Sequence, residues 1–506
     1  MSHSAAGSEW AVASPHSLAT DAAADAFDLG GNALDAAVAA ATTLAVVYPH
    51  MCGIGGDLIA LVRDPSGRTT CILSAGAAPA TIDPEDVRSR NDGEMPSHGP
   101  DAITVPGAAA GWRSLHQAGA VLPWAAAFER AIEHARHGVP ISRDLAAALS
   151  WDPERLRADP GILGTFFRGN SPIVAGDILA QPALASTLGT LAEEGASAMY
   201  GGDLGRRFAN GLQARGSHLS DEDLAGHQAQ LLAPLEGAYQ GNRVFTSPPP
   251  SQGFVLLRIL GESEKLGLEP DPLGGDAAAL ARVFAGASAL RDEHLADPPA
   301  MRLSVEELME RPIHLGTPGR RRGTGDTISL MCADARGWAV SLIQSLYDGF
   351  GSGILEPGTG IVAHDRGACF TLERGHPNEL TQGKRPAHTL MPVMVERPDS
   401  LVMIGTMGGE AQPQINAQNL MRLVDQDQEP AEALSAPRWT VEGTAATVES
   451  DVPAATSEAL ASAGFTVEGT GRHSGDLGHS NLIVRAAGAF EAASDPRADG
   501  SARAGS

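Results

Sequence analysis

Residues 325–330, Gly-Asp-Thr-Ile-Ser-Leu, set the tightest limit on how this chain folds. They open a β-branched and apolar run, Thr327 to Cys332, which Asp334-Ala335-Arg336-Gly337 separates from a second run, Trp338 to Leu346. Two such runs around a polar, glycine-ended turn predict a β-hairpin. Upstream, Gly316 to Gly325 is rich in glycine and charge and lacks an apolar period, so it predicts an exposed loop. Thr327 thus stands where an accessible loop feeds an internal strand. Cleavage ahead of it would free an N-terminal threonine, whose hydroxyl is a nucleophile and whose α-amine is a base within one residue. Taken locally, a threonine that merely opens a hairpin is the simpler explanation of this window.

The remainder reads as helices followed by strands. Pro15 to Val47 is alanine- and leucine-rich and broken at Gly30-Gly31-Asn32, which predicts two helices, the second capped near Asn32 and ending before Pro49. Gly53 to Gly56 then leads into a buried strand at Leu58 to Val62; these glycines lack the lysine and hydroxyl of a phosphate loop and predict close backbone packing. From Leu122 to Arg291 the pattern is mostly helical, with amphipathic segments at 125–136, 183–194 and 277–291. Strands return after Thr327. The polar tail at Ala498 to Ser506 predicts disorder.

A chain of 506 residues exceeds the usual single-domain size, yet no linker or composition shift divides it. A net charge of −25 argues against nucleic acid or an anionic membrane as partner and favours small diffusing substrates. Cys52, Cys71, Cys332 and Cys369 show no CxxC pairing and no metal-ligand spacing, so we expect reduced, buried thiols, no metal and no cofactor. Met1 to Glu9 lacks the features of a secretory signal, and the apolar stretch Ala36 to Val47 is too short to span a bilayer, which predicts a cytoplasmic protein.

Motifs along nearly the whole chain then reverse the local reading of Thr327. They are Ser14-Pro15-His16, Gly30 to Ala39, Gly53-Ile54-Gly55-Gly56-Asp57, Thr104-Val105-Pro106-Gly107 with Gly111-Trp112, and Pro248 to Gly253. The C-terminal part adds Phe350 to Gly353, Lys384-Arg385-Pro386, Gly405 to Gly409, Ala436 to Trp439 and Asp495-Pro496-Arg497. Each is weak alone. In this order they resemble the γ-glutamyltransferase family of N-terminal-nucleophile hydrolases, closest to the branch with cephalosporin-acylase-like members.

The resemblance implies an α+β fold, a four-layer αββα sandwich. It implies a precursor cleaved between Asp326 and Thr327 into a large fragment, 1–326, and a small one, 327–506, which stay associated. Thr327 would be the nucleophile and the N–H groups of Gly408 and Gly409 the oxyanion donors. Ser345 aligns with a hydroxyl residue that contacts the nucleophile's amine and assists self-cleavage.

The substrate side departs from the pattern. Glutamyl-processing members hold the α-carboxylate with an arginine in the block before Ala78-Pro79, and the α-amine with an aspartate before Phe370. Here the first block, Leu73 to Pro79, has no arginine and includes Ala77; the second, Asp365 to Phe370, includes Arg366 and has Cys369 at the aspartate's place. Tyr347 stands where an asparagine is common, and His388-Thr389 replace a pair of serines. Tyr347, Arg366, Cys369, His388, Thr389 and Ala77 are therefore the candidate substrate contacts. The expectation is a hydrolase or acyl transferase acting on a substrate other than glutathione. Two alternatives stay open: a carbon–carbon bond hydrolase of keto-acid intermediates in actinobacterial alkylproline-type antibiotic biosynthesis, and a non-catalytic binding protein.

Overall fold

Side-chain chemistry at Asn32 starts the architecture where the sequence predicts. Its side chain accepts hydrogen bonds from the N–H groups of Leu34 and Asp35, while the Asp35 carboxylate accepts from the Asn32 N–H. Such a reciprocal cap contributes about 1 kcal/mol. It launches the helix Ala33–Val47, whose residues are all buried and which stops just ahead of Pro49. The preceding helix, Ser17–Asp28, packs along it. In the computed structural model, residues 3–315 and 325–506 are described. The predicted exposed loop lies outside these residues, apart from Gly325.

Two seven-stranded antiparallel sheets form the centre. One runs Ser501–Gly505, Trp10–Ser14, Asp326–Asp334, Ala339–Tyr347, Asp57–Arg63, Thr69–Ser74, Gln230–Leu232. The other runs Ser4–Gly7, Ala489–Ser494, Ser480–Ala486, Ser400–Thr406, Val393–Glu396, Asn242–Thr246, Leu235–Tyr239. Their facing sides bury Ile59, Met331 and Ile343 against Met394, Met403 and Ile483, each side chain contributing roughly 1.5–3 kcal/mol. The outer face of the first sheet is covered by helices that include Ala33–Val47 and Ala108–Gln117. The outer face of the second carries Gly253–Leu266, Ala277–His294 and Gln412–Leu420. This is the expected αββα sandwich. Each sheet draws strands from both sides of position 326, so a cut there leaves two interleaved pieces.

The predicted hairpin forms as Asp326–Asp334 and Ala339–Tyr347. One reading needs an addition and one a correction. The mostly helical stretch 122–291 also holds a hairpin, Leu235–Tyr239 with Asn242–Thr246. Gln240 and Gly241 both take positive φ, 51° and 72°, the two-residue turn that suits twisted strands. The C-terminal tail is ordered as well. Ser501–Gly505 pairs with Trp10–Ser14 over five residues, and Asp499 accepts hydrogen bonds from Arg143 and the Asp144 N–H. Polar side chains suit a strand at a sheet edge, where backbone pairing supplies the stability. Deleting residues 501–506 is expected to lower the melting temperature by a few degrees in scanning calorimetry, because it strips the partner from Trp10–Ser14.

Candidate active site

Thr327 is buried in an interior strand, and an irregularity there brings a serine onto it. Asp326 pairs with Tyr347 but Ile328 pairs with Gln344, so Ser345 and Leu346 together face Thr327 alone. Such bulges re-aim side chains beside active sites. The Ser345 Oγ lies 3.0 Å from Thr327 Oγ1, 2.6 Å from the carbonyl oxygen of Asp326 and 2.7 Å from the Tyr347 N–H. A hydroxyl has one proton and two acceptor sites. The Asp326 carbonyl can only accept and the Tyr347 N–H can only donate. Ser345 therefore gives its proton to the Asp326 carbonyl, and Thr327 Oγ1 must donate to Ser345. The threonine oxygen keeps its lone pairs beside the carbonyl that precedes it.

Glycine is required around this point. A Cβ on Gly56 would meet the Ser345 carbonyl oxygen at 2.3 Å, and one on Gly55 the Val362 oxygen at 2.0 Å. Gly408 and Gly409 follow the strand Ser400–Thr406 at φ 130° and 50°, leading through a short turn into the helix Gln412–Leu420. A Cβ placed on Gly325 would lie 3.3 Å from the Gly409 Cα, so this glycine pair borders the chain just ahead of Thr327. The glycine carbonyls are engaged, Gly408 by the Ala411 N–H and Gly409 by Gln252 Nε2. Gln252 also donates to the Thr389 carbonyl, and its own oxygen accepts from Arg291.

The candidate substrate contacts gather on one side. Tyr347 adopts φ 81°, a left-handed conformation that costs a non-glycine residue about 1–3 kcal/mol. Asparagine tolerates it better, in keeping with the asparagine that the family resemblance implies here. Here the strain is offset by contacts: Tyr347 Oη donates to Glu410 Oε1 at 3.1 Å, and the Arg366 guanidinium lies 4.4 Å from the ring centre. Arg366 Nη1 reaches Thr389 Oγ1 at 2.9 Å and Cys369 Sγ at 3.6 Å. His388 Nε2 lies 3.1 Å from Asp57 Oδ2. Burial and the Arg366 charge push His388 down to about 4, so it is neutral at pH 7 and donates to Asp57. Burial acts to raise Asp57, but His364 and His388 outweigh it and hold the carboxyl well below the usual range. Ala77 joins only through its neighbour, since the Gly76 N–H is 3.4 Å from Asp57 Oδ1.

Sequence reasoning missed Asp57, Gln252, Arg291 and Glu410 as members of this cluster. Asp57 and Gln252 both lie inside motifs quoted above, and a charged residue opening an apolar strand was a readable signal. Among the described residues, His98, Asp348 and Asp365 form a grouping with ligand atoms within 4.8 Å of one another, a geometry that also arises without any ion.

A cavity of about 650 Å³ opens beside Asp326, bordered also by Arg155, Asp348 and Met407. Burial, then the charges of Asp365, Asp476 and Asp144, push Asp326 up to about 7, with Arg155 opposing. An unfolded aspartate titrates near ~3.9. The folded precursor therefore binds more protons across this window, and its stability falls as pH rises from about 4 to about 7. In a Thr327→Ala background, the chain is expected to melt higher at pH 5.5 than at pH 7.5 in scanning calorimetry, with Asp326→Asn reducing the difference.

The sequence profile described as gamma-glutamyltranspeptidase matches residues 19–505. The chain is 36% identical to the oxamate amidohydrolase proenzyme of Klebsiella pneumoniae, over 96% of this chain and 97% of that protein. It is 35% identical to the glutathione hydrolase-like YwrD proenzyme of Bacillus subtilis, over 99% of each. Cephalosporin acylase from Bacillus halodurans has the same fold at TM-score 0.91 and 31% identity, covering 100% of this chain and 97% of that one. With the αββα sandwich and the site geometry, these likenesses make the chain a member of the γ-glutamyltranspeptidase family of N-terminal-nucleophile hydrolases.

Proposed function

We propose that this protein cleaves itself between Asp326 and Thr327 and then acts as an N-terminal-threonine amidohydrolase on small amides other than γ-glutamyl compounds. The hydrogen bonds linking Thr327, Ser345 and the Asp326 carbonyl carry this reading. Thr327 Oγ1 attacks the Asp326 carbonyl carbon, the C–N bond breaks, and the Thr327 nitrogen takes up a proton. Water then hydrolyses the resulting ester, releasing the Asp326 carboxylate and restoring the hydroxyl. Fragments 1–326 and 327–506 stay together because each contributes strands to both sheets.

In the mature enzyme the freed amine, with a reference pKa near ~7.7–8.0, takes the hydroxyl proton as Thr327 attacks a substrate carbonyl. The N–H groups of Gly408 and Gly409 receive the developing oxyanion. Water completes turnover by releasing the acyl group. The lack of an arginine around Ala77 and the presence of Cys369 argue against a free γ-glutamyl substrate, since the two charged groups that would hold its α-carboxylate and its α-amine are both missing from their places. The oxamate amidohydrolase likeness over nearly the whole chain favours a short amide. The carbon–carbon-cleaving and non-catalytic alternatives gain no support from relatives named as amidohydrolase, hydrolase and acylase proenzymes.

Purified protein is expected to give two chains, the shorter starting at Thr327 by N-terminal analysis. It should release ammonia from oxamate far faster than it hydrolyses glutathione. An intact chain, or glutathione as the better substrate, overturns the proposal.

A further inference from the structure

Arg366 is fully buried, yet only part of its guanidinium is used. Nη1 has both its partners, Thr389 and Cys369, whereas Nε and Nη2 make no hydrogen bond among the described residues. These two nitrogens form one edge of the guanidinium, the fork that grips a carboxylate through two parallel bonds. Asp57 Oδ2 is 3.9 Å from Nε, too far for a hydrogen bond. The Asp57 oxygens already face the N–H groups of Gly107 and Gly76 at 3.2 and 3.4 Å, and His388 at 3.1 Å. Unmet buried donors on a cation are costly, so an arginine kept this way points to a ligand that completes it.

Packing through Tyr347 links Arg366 to the reaction centre. Arg366 lies over the Tyr347 ring, and the Tyr347 N–H bonds the same Ser345 Oγ that contacts Thr327. In the precursor, Gly325 packs on that ring: its Cβ position is 3.2 Å from two Tyr347 ring carbons. Cys369 and Thr389, which hold Arg366, line a small cleft with His388 and Glu410. Two residues, Ser345 and Tyr347, connect Thr327 to Arg366, which favours a short substrate.

We propose that Arg366 is the carboxylate anchor of the mature enzyme, binding through Nε and Nη2 a carboxylate close to the scissile carbonyl. The substrate class is then short anionic amides, and the carboxylate is read by Arg366 rather than by the block around Ala77. This inference rests on Thr327 being the nucleophile, and the test separates the two.

The experiment compares oxamate with its neutral isostere oxamide by steady-state kinetics. It also measures oxalate binding by titration calorimetry, for the mature wild-type enzyme, Arg366→Lys and Arg366→Gln. Fragment analysis and melting temperature establish that each variant is processed and folded. The wild type should prefer oxamate in kcat/KM by about 100-fold, as expected for two charge-assisted hydrogen bonds. Arg366→Gln should collapse that ratio to within a few-fold of one and abolish oxalate binding, with Arg366→Lys in between. A wild type indifferent to the carboxylate, or a variant that slows both amides equally, makes Arg366 a structural cation and overturns the anchor. If Arg366→Gln does not fold, the wild-type preference and the Arg366→Lys ratio still decide. If neither amide is turned over but oxalate binds the wild type and not the variants, the anchor stands and the amidohydrolase reading falls. Oxalate that fails to bind the wild type counts against the anchor.

Discussion

A chain carrying Thr327→Ala is expected to run as one full-length band and to lose at least ~10⁴-fold in kcat/KM, since in the proposed mechanism the nucleophile and the cleavage that exposes it depend on one oxygen atom. Thr327→Ser keeps the oxygen and removes a methyl group from a buried position, so it should still divide into two fragments and turn over substrate, more slowly. Intact mass and N-terminal analysis read the first effect, and ammonia release the second. Cleavage before residue 327 in the alanine variant would sink the mechanism. So would a wild-type enzyme that is active while still whole. The alanine chain should keep its fold, because Thr327 is one small side chain in a strand flanked by Trp10–Ser14 and Ala339–Tyr347.

Where a structural signal is local, the sequence carries it. Asn32 caps a helix through atoms three residues apart, and Pro49 ends it; both were readable. The hairpin that holds Thr327 declared itself through two apolar runs and a glycine-ended turn. Pairings between distant segments did not. Trp10–Ser14 finds Ser501–Gly505 across the full length of the chain, and nothing in five small or polar residues announces that partner. The candidate site divides in the same way. Thr327, Gly408 and Gly409 stand in ordered motifs, whereas the cluster of Asp57, Arg366 and His388 exists only because the fold joins residues from three separate segments. Local sequence also hid the demand on Tyr347. Its positive φ is a property of the bulged strand, and a tyrosine there makes sense only once Arg366 and Glu410 are seen against its ring and hydroxyl.

In the proposed function the pocket pairs a preserved attacking end with an altered reading end. Ser345 joins Thr327 to the Asp326 carbonyl through hydroxyl and backbone groups, which are indifferent to what an acyl group carries. On the far side of Tyr347 a buried guanidinium and an ionised Asp57 lie within 3.9 Å.

Ser345→Ala is expected to slow self-cleavage by about 10²-fold or more, in line with the loss of a single oxyanion donor. The Ser345 hydroxyl is fully committed in the precursor: it donates to the Asp326 carbonyl and accepts from Thr327 Oγ1 and the Tyr347 N–H. Alanine removes the polarising bond on the scissile carbonyl, the acceptor for the Thr327 proton and the partner of a buried N–H, all at once. A threonine at 345 keeps the hydroxyl and should restore most of the rate, which separates loss of the hydrogen bonds from loss of packing. Timed gels of freshly purified precursor provide the measurement. Once cut, the alanine variant should be less impaired in substrate turnover than in processing, because the Thr327 amine then serves as base and the Asp326 carbonyl is no longer the group under attack. Equal loss in both reactions would show instead that Ser345 acts chiefly by holding the bulge that aims Thr327.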